Sequence, residues 1–446
     1  MSKKIILMGG YGGHDIGDEA MLTTDLINLK KFIPDAQFLA LSYDPEYTSG
    51  YHKIESDYWI DRYLSGYSTG RKTQPSIVLR ILKFPFNFSM RLLRMLDILF
   101  NAWILKKYNR TIFLNEEGKR LLNHLKSADL LFNVGGGNIN SMMCKPWCLC
   151  PRFIVYLICK IFGKPVIVSG QTIGPIDDKW TNKKVAGFFL NKVDVITLRD
   201  VGTSMSILKN MGVTKPIIKE TTDDAFLLPP ISQEKVMDIF LDEKIEVDHP
   251  LIGVNMCGFL SHVISPDFHE NIQKAKQILA QALDRLISEL GARIVFIPMD
   301  YAASSSDRVA ASDVFKLMEH KDSANIIMNS EYDDRTLKAI IGQMDLVVGS
   351  RHHFVVFATT MQVPTIGIYL GEYYKMKIGG ILELMGQEKY ALDFEKTSAE
   401  EIVDLVKDAL QNKDKIKKKL EERTKLLGER SLFTIEYAAK LLKGEV

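Results

Sequence analysis

The feature that most constrains this chain is a repeated unit. A short strand, apolar on both sides, runs directly into glycine or polar residues and then into a helix-like stretch. Lys4–Met8 reads KIILM and opens into GGYGGHDIGDEA, with a helical stretch from about Glu19 to Lys31. QFLALS at Gln37–Ser42, ADLLFNVGGGN at Ala128–Asn138, KPVIVSGQTIGP at Lys164–Pro175 and DVITLRD at Asp194–Asp200 repeat it. A strand apolar on both sides needs cover on both, so helices must pack on the two faces of a parallel sheet. The alternation predicts an α/β fold.

A chain of 446 residues is too long for one ordinary core and suits two. The paired prolines of DDAFLLPPISQE, Asp223–Glu234, interrupt regular structure and mark the boundary. They divide the chain into an N-terminal domain, 1–228, and a C-terminal domain, 229–446. The second half repeats the pattern with strands at Leu251–Met256, Arg293–Met299, Leu346–Gly349 and Thr365–Leu370, a helix at Lys274–Leu290, and a helical tail from Ser398 to Lys443.

Composition excludes several classes. The chain is 46% hydrophobic and 25% charged, which fits a globular protein and not a disordered one. The formal charge of +2 gives no whole-chain preference for nucleic acid, and none is expected as a partner. No run approaches the roughly 20 apolar residues of a membrane span. MSKKIILMGG is too short in its apolar part for a signal peptide, and five cysteines form no disulfide framework. The expected location is cytoplasmic, with a peripheral position on the inner face of the membrane left open. Cys144, Cys148 and Cys150 have no standard metal spacing and no identifiable fourth ligand, so they read as free thiols and no metal is expected.

One segment departs from the rhythm. Between Asp57 and Leu114 the chain is rich in leucine, aromatics and basic residues, with few acidic ones. Such a basic apolar insertion can lie on an anionic membrane or bind a partner. It can equally pack on its own domain with its arginines reaching outward.

Three places carry candidate chemistry. Gly135, Gly136 and Gly137 follow a strand, so backbone N–H groups can approach an anion or a sugar, and Asn138 adds an amide. SRHH at Ser350–His353 follows the strand LVVG and precedes a helix, where α/β proteins place their sites. There Arg351 offers a fork for carboxylate or phosphate, and His353 can exchange a proton near neutral pH, with His352 beside it as a spectator. Asp15, Asp18 and Glu19 stand at a helix start, where negative charge is favoured; they cap it, orient a sugar hydroxyl or supply a base. GGYGGHDIGDEA lacks the GxGxxG spacing and the lysine and hydroxyl of a triphosphate loop, so no nucleotide cofactor is assigned. Lys375 and Lys377 are further cations for a phosphate.

Read in order, GGYGGHDIGDEAML, NVGGGN, SGQTIGPI, LRD, TTDDAF, IGVN, GSRHHFVVFATTMQVPTIGIY and KIGGILELMG resemble the polysaccharide pyruvyl transferase family. The resemblance implies two Rossmann-like domains facing a cleft, as in GT-B glycosyltransferases. It also implies transfer of an enolpyruvyl-derived group from phosphoenolpyruvate to a sugar of a cell-surface polymer or its lipid-linked precursor, leaving a pyruvate ketal. Arg351 would then hold the donor and His353 act as general acid, with Asp15 or Asp18 as base. Gln171 in SGQTIGPI and Arg199 in LRD join the substrate-binding candidates. GEYYKMK has a longer tyrosine-to-lysine interval than the family, which leaves Lys375 and Lys377 both standing. The 57–114 segment is also long for the family. A nucleotide-sugar glycosyltransferase and a non-catalytic glycan-binding protein are the alternatives, and the oligomeric state is not fixed by the sequence.

Overall fold

The computed structural model describes residues 2–65, 77–141, 146–176, 180–247, 249–257, 268–302 and 306–446. Two parallel sheets organise it. The first contains β1 (Lys4–Met8), β2 (Gln37–Ser42), β3 (Glu55–Tyr58), β4 (Leu130–Asn133), β5 (Gly136–Ile139), β6 (Val166–Ile173), β7 (Val195–Leu198) and β8 (Ile217–Glu220). Its order is β3-β2-β1-β4-β6-β7-β8, with β5 paired to β6 off this path. The second contains β9 (Leu251–Asn255), β10 (Arg293–Phe296), β11 (Ala324–Ile326), β12 (Leu346–Gly349), β13 (Thr365–Tyr369) and β14 (Ala391–Asp393), ordered β11-β10-β9-β12-β13-β14. In each sheet the order reverses beside the first strand, between β1 and β4 and between β9 and β12. These are the crevices where open α/β sheets take their ligands.

The two-sided burial of the strands is realised residue by residue. Ile5 and Leu7 of β1 enter one hydrophobic cluster, while Ile6 and Met8 enter another on the opposite face. The first of these clusters does not stop at the domain boundary. It runs through the helix Ile16–Phe32 and through Phe226 and Leu228 into the core around β9, β10 and β12. The last helix, Phe433–Lys443, follows the second sheet in sequence yet packs against the helix Ile16–Phe32 and β6. Thr434 Oγ1 lies 3.0 Å from Thr197 Oγ1, and Ile435, Ala438 and Leu442 are buried.

Two sequence readings change. Gly135–Gly137, read as residues that follow a strand, re-enter the sheet: Gly136 begins β5 and is in register with Gln171, its φ of 150° being one that glycine adopts without strain. The edge and outer strands β3, β8, β11 and β14 were not legible, because segments such as ESDY and IIKE carry no apolar run. Of the basic segment, the helix Ile77–Tyr108 packs Met95, Ile98, Ala102 and Leu105 into the first domain and leaves another face in solvent. Cys144 and the side chains of Cys148 and Cys150 lie outside the described residues; Cys159 and Cys257 are buried free thiols.

The returning helix is open to test. Ile435→Ala leaves a cavity at its contact with the first domain and should cost about 3 kcal/mol in chemical denaturation. Exposed Leu426→Ala, on the preceding helix, should cost less than about 0.5 kcal/mol.

Candidate active site

A cavity of about 330 Å³ opens between the two sheets. Its walls come from the residues that follow β1, β2, β7, β9, β10, β12 and β13 at their carboxyl ends, and from Gly137 and Asn138 within β5, just past the end of β4. Of the expected site residues, Asp15, Asp18, Gly137, Asn138, Arg199, Arg351, His353 and Lys377 line it. The rest support it or stand apart. Gly135 gives its N–H to Asp224 (2.7 Å), and Gly136 lies within β5. Gln171 is buried below, its Nε2 donating to the carbonyls of Val134 (3.0 Å) and Ser169 (2.9 Å). Lys375 is exposed and paired with Glu372. Residues Lys375–Gly379 wind as a π turn, which takes up more chain than an α turn and carries Lys377 into the cavity beside Tyr373, Nζ to hydroxyl 3.2 Å.

Arg351 sits where the halves of the chain meet, and carboxylates occupy its guanidinium. Nη1 donates to Asp15 (2.9 Å), Nη2 to Asp300 (2.7 Å) and Nε to both oxygens of Asp307 (2.9 and 2.8 Å). The backbone is stitched at the same point, Ile16 N to Met299 O at 3.0 Å and Tyr301 N to His14 O at 3.2 Å. Asp15 also caps the helix Ile16–Phe32 by accepting from Gly17 N at 2.9 Å. Burial alone would raise its pKa, but Arg351, His353 and Lys377 outweigh burial and hold it below the ordinary carboxylate value.

Asp18, one helical turn inward, responds the other way. Burial and the neighbouring Asp15 charge push it up to about 6, against weaker opposition from His353 and Lys377. The two carboxyls are therefore divided: Asp15 is ionised and engaged, and Asp18 is free to exchange a proton near neutral pH. A second buried carboxyl pair, Asp25 and Asp224, lies below the glycine strand; burial raises both, aided at Asp25 by the neighbouring Asp224 and at Asp224 by the charge of Asp223, which brings Asp224 to about 6.

The cationic wall is built around Asp223. Its carboxylate accepts from Arg199 Nη1 and lies 3.1 Å from His352 Nε2 and 3.5 Å from His353 Nε2. Burial opposes its ionisation, yet His353, Arg199 and His352 hold it well below the ordinary value. His352 faces acceptors on both sides, with Nδ1 3.0 Å from the Lys377 carbonyl. Burial and Arg199 push its pKa down to about 3. A neutral ring donates to only one of them, and the charge-assisted bond to Asp223 is the stronger. His352 is thus committed to the wall. His353 Nε2 has no hydrogen-bond partner among the described residues. Its ring lies so close on the first turn of the helix Ile16–Phe32 that a Cβ at Gly17 would stand 1.8 Å from Nδ1.

The remaining donors converge on Gly137. Arg199 is anchored through Nε to Thr172 (2.9 Å), and its Nη2 is buried with no hydrogen-bond partner among the described residues. A Cβ built on Gly137 would lie 3.4 Å from that Nη2 and 3.4 Å from Lys377 Cε. An unpartnered buried guanidinium nitrogen beside an ammonium is a place for an anion. Asp223, His352 and His353 also bring three metal-ligand atoms within 4.8 Å of one another, but Arg199 already holds the Asp223 carboxylate and would repel a cation there. The sequence ranked Arg351 above Arg199 as the anion contact. No local signal separates them, since the carboxylates that occupy Arg351 lie 44 to 336 residues away.

Removing Arg351 should therefore act first on the fold. Arg351→Met leaves three carboxylates facing one another and should lower stability by on the order of 3–5 kcal/mol in urea. A variant as stable as wild type would return Arg351 to the role of ligand contact.

Comparison with known proteins places this architecture. The fold is shared with a glycosyltransferase from Rickettsia africae (TM-score 0.58, 12% identity, covering 100% of this chain and 98% of that one). It is shared with a UDP-GlcNAc 2-epimerase from Neisseria meningitidis bound to UDP-GlcNAc (0.57, 11%, 98% and 100%). It also matches an Anabaena protein in complex with UDP and glucose (0.53, 14%, 98% and 99%). All are GT-B-like pairs of Rossmann-like domains, the architecture expected from the sequence. Residues 16–372 match the family described as polysaccharide pyruvyl transferase. That span holds every wall of the cavity except Gly10, Gly13, Asp15, Tyr373, Tyr374 and Lys377, and covers most of the chain, so this protein belongs to the polysaccharide pyruvyl transferase family.

Proposed function

We propose that this protein transfers the pyruvyl group of phosphoenolpyruvate to a glycan acceptor and closes a pyruvate ketal across two sugar hydroxyls. The acceptor is a cell-surface polymer or its lipid-linked precursor. The observation that carries this reading is the anion cradle at Gly137, where buried Arg199 Nη2 has no partner among the described residues and Lys377 stands beside it. Phosphoenolpyruvate presents a carboxylate and a phosphate, and the two cationic groups can take one each.

In this reading His353 in its protonated form gives a proton to the methylene carbon of the donor. The second carbon becomes electrophilic, and a sugar hydroxyl attacks it while Asp18 accepts the hydroxyl proton. Phosphate then leaves with the bonding electrons, and a second hydroxyl of the sugar adds to the same carbon and loses its proton to His353, which gave up its own in the first step. Arg199 and Lys377 neutralise the departing charge. Asp15 keeps the helix start and the Arg351 contact in place, which favours Asp18 as the base.

A second reading is supported by the solved relatives that carry UDP or UDP-sugars: a nucleotide-sugar donor in the same cleft. Titration calorimetry separates the two. Phosphoenolpyruvate should bind saturably, and Lys377→Ala should weaken it about tenfold or more. Binding of UDP with no binding of phosphoenolpyruvate would transfer the assignment to glycosyl transfer.

The base assignment has a pH signature. With Asp18 pushed up to about 6, kcat/KM should show an acid limb, rising as pH increases through about 6. An Asp18→Asn enzyme retaining both full rate and this acid limb would exclude Asp18. Gly17→Ala tests the seat of His353. The added methyl must displace the imidazole, and turnover should fall on the order of 100-fold with little change in donor affinity.

A further inference from the structure

The helix Ile77–Tyr108 has two faces in its described part. Met95, Ile98, Ala102 and Leu105 are buried in the first domain. Leu92, Leu93, Leu96, Phe100 and Trp103 are exposed at 46–57%. At helical spacing these five fall within an arc of roughly 100°, opposite the buried row, and Lys107 falls in the same arc. Phe100 and Trp103 stack at 6.3 Å, and Lys107 lies over Trp103 and Tyr108. The apolar row is thus about 17 Å long, from 11 steps at the helical rise. Beyond its end, Phe113 is fully exposed at a φ of 54°.

The charges around this row have one sign. Lys106, Lys107 and Arg110 are exposed, and none is in an ion pair among the described residues. Asp97 is the only carboxylate between residues 77 and 114, and it faces inward, accepting from Tyr63 (2.7 Å) and Asn101 (2.9 Å). Arg91 is turned inward too, onto Asp61. A face of leucine and aromatic residues edged by unpaired cations, without a free carboxylate, complements an anionic lipid surface. No helix among the described residues is long and apolar enough to cross a membrane.

We propose that this face docks the protein on an anionic lipid bilayer, with Leu92, Leu93, Leu96, Phe100 and Trp103 in the interfacial layer and Lys106, Lys107 and Arg110 against the headgroups. A short run of contacts ties the helix to the cavity. Arg91 pairs with Asp61, which accepts from Trp59 Nε1 (2.7 Å). Trp59 lies 5.9 Å from the ring of Tyr43, and Tyr43 lines the cavity. Docking would hold the cleft beside the bilayer, where a lipid-linked acceptor is presented. The proposal does not depend on which donor the cleft uses.

Sedimentation with phosphatidylcholine vesicles, with and without phosphatidylglycerol, tests it on the full chain. Wild type should bind the phosphatidylglycerol vesicles and release them at high salt. A Leu96→Glu/Trp103→Glu variant and a Lys106→Glu/Lys107→Glu/Arg110→Glu variant should each bind at least about tenfold more weakly. Both should keep the wild-type melting temperature within a few degrees and the same affinity for phosphoenolpyruvate or UDP, because the changed side chains lie on the surface. Absent binding by wild type, or equal binding by folded variants, would overturn the proposal. So would light scattering that finds a dimer of wild type lost in the Leu96→Glu/Trp103→Glu variant, which would assign the face to a second copy of the chain.

Discussion

Arg351 brings one positive charge to a point where Asp15 from the first half of the chain and Asp300 and Asp307 from the second converge. Without it, three acidic groups would be forced together, and burial would raise the cost of their ionisation. With it, the start of the helix Ile16–Phe32 is fixed against the ends of β10 and β12, and the backbone bonds from Ile16 and Tyr301 close the joint. The cavity is what remains open above this joint. The helix that carries Asp18 is tied there to the turn that carries Arg351 and His353.

The joint also divides labour between neighbouring groups of the same type. Asp15 and Asp18 are three residues apart on one helix start, yet cations hold one below its ordinary pKa while burial and repulsion lift the other to about 6. His352 and His353 are adjacent, yet one faces acceptors on both sides and is committed to Asp223, while the other has a nitrogen without a hydrogen-bond partner among the described residues. Arg199 and Arg351 are both arginines past a strand end; one is fully engaged by carboxylates and the other keeps a nitrogen toward Gly137. In each pair, proximity to charges from a distant part of the chain makes the difference.

The continuous hydrophobic cluster explains how such a joint persists. Buried charges need a rigid surround, and the helix Ile16–Phe32 is held by apolar contacts on the side away from the cleft. The returning helix Phe433–Lys443 braces the same element from outside. The basic segment is different in kind: one face completes the first domain's core, while the other adds nothing to it and stays exposed.

The sequence by itself determined the elements and the places where chemistry gathers. Strands such as KIILM and LVVG must be buried on both sides, so a helix-covered parallel sheet follows from their composition alone. SRHH and NVGGGN were legible because a polar or glycine-rich stretch after an apolar strand has to lie at a strand end. Lys375 and Lys377 could not be told apart, because only the π turn decides which one points inward. Nor could the role of Arg351, whose carboxylate partners come from two distant segments. Periodicity is local and survives in the sequence. Charge balance, burial and the choice of which donor keeps a free nitrogen depend on groups hundreds of residues apart, and only the tertiary structure brings them within reach.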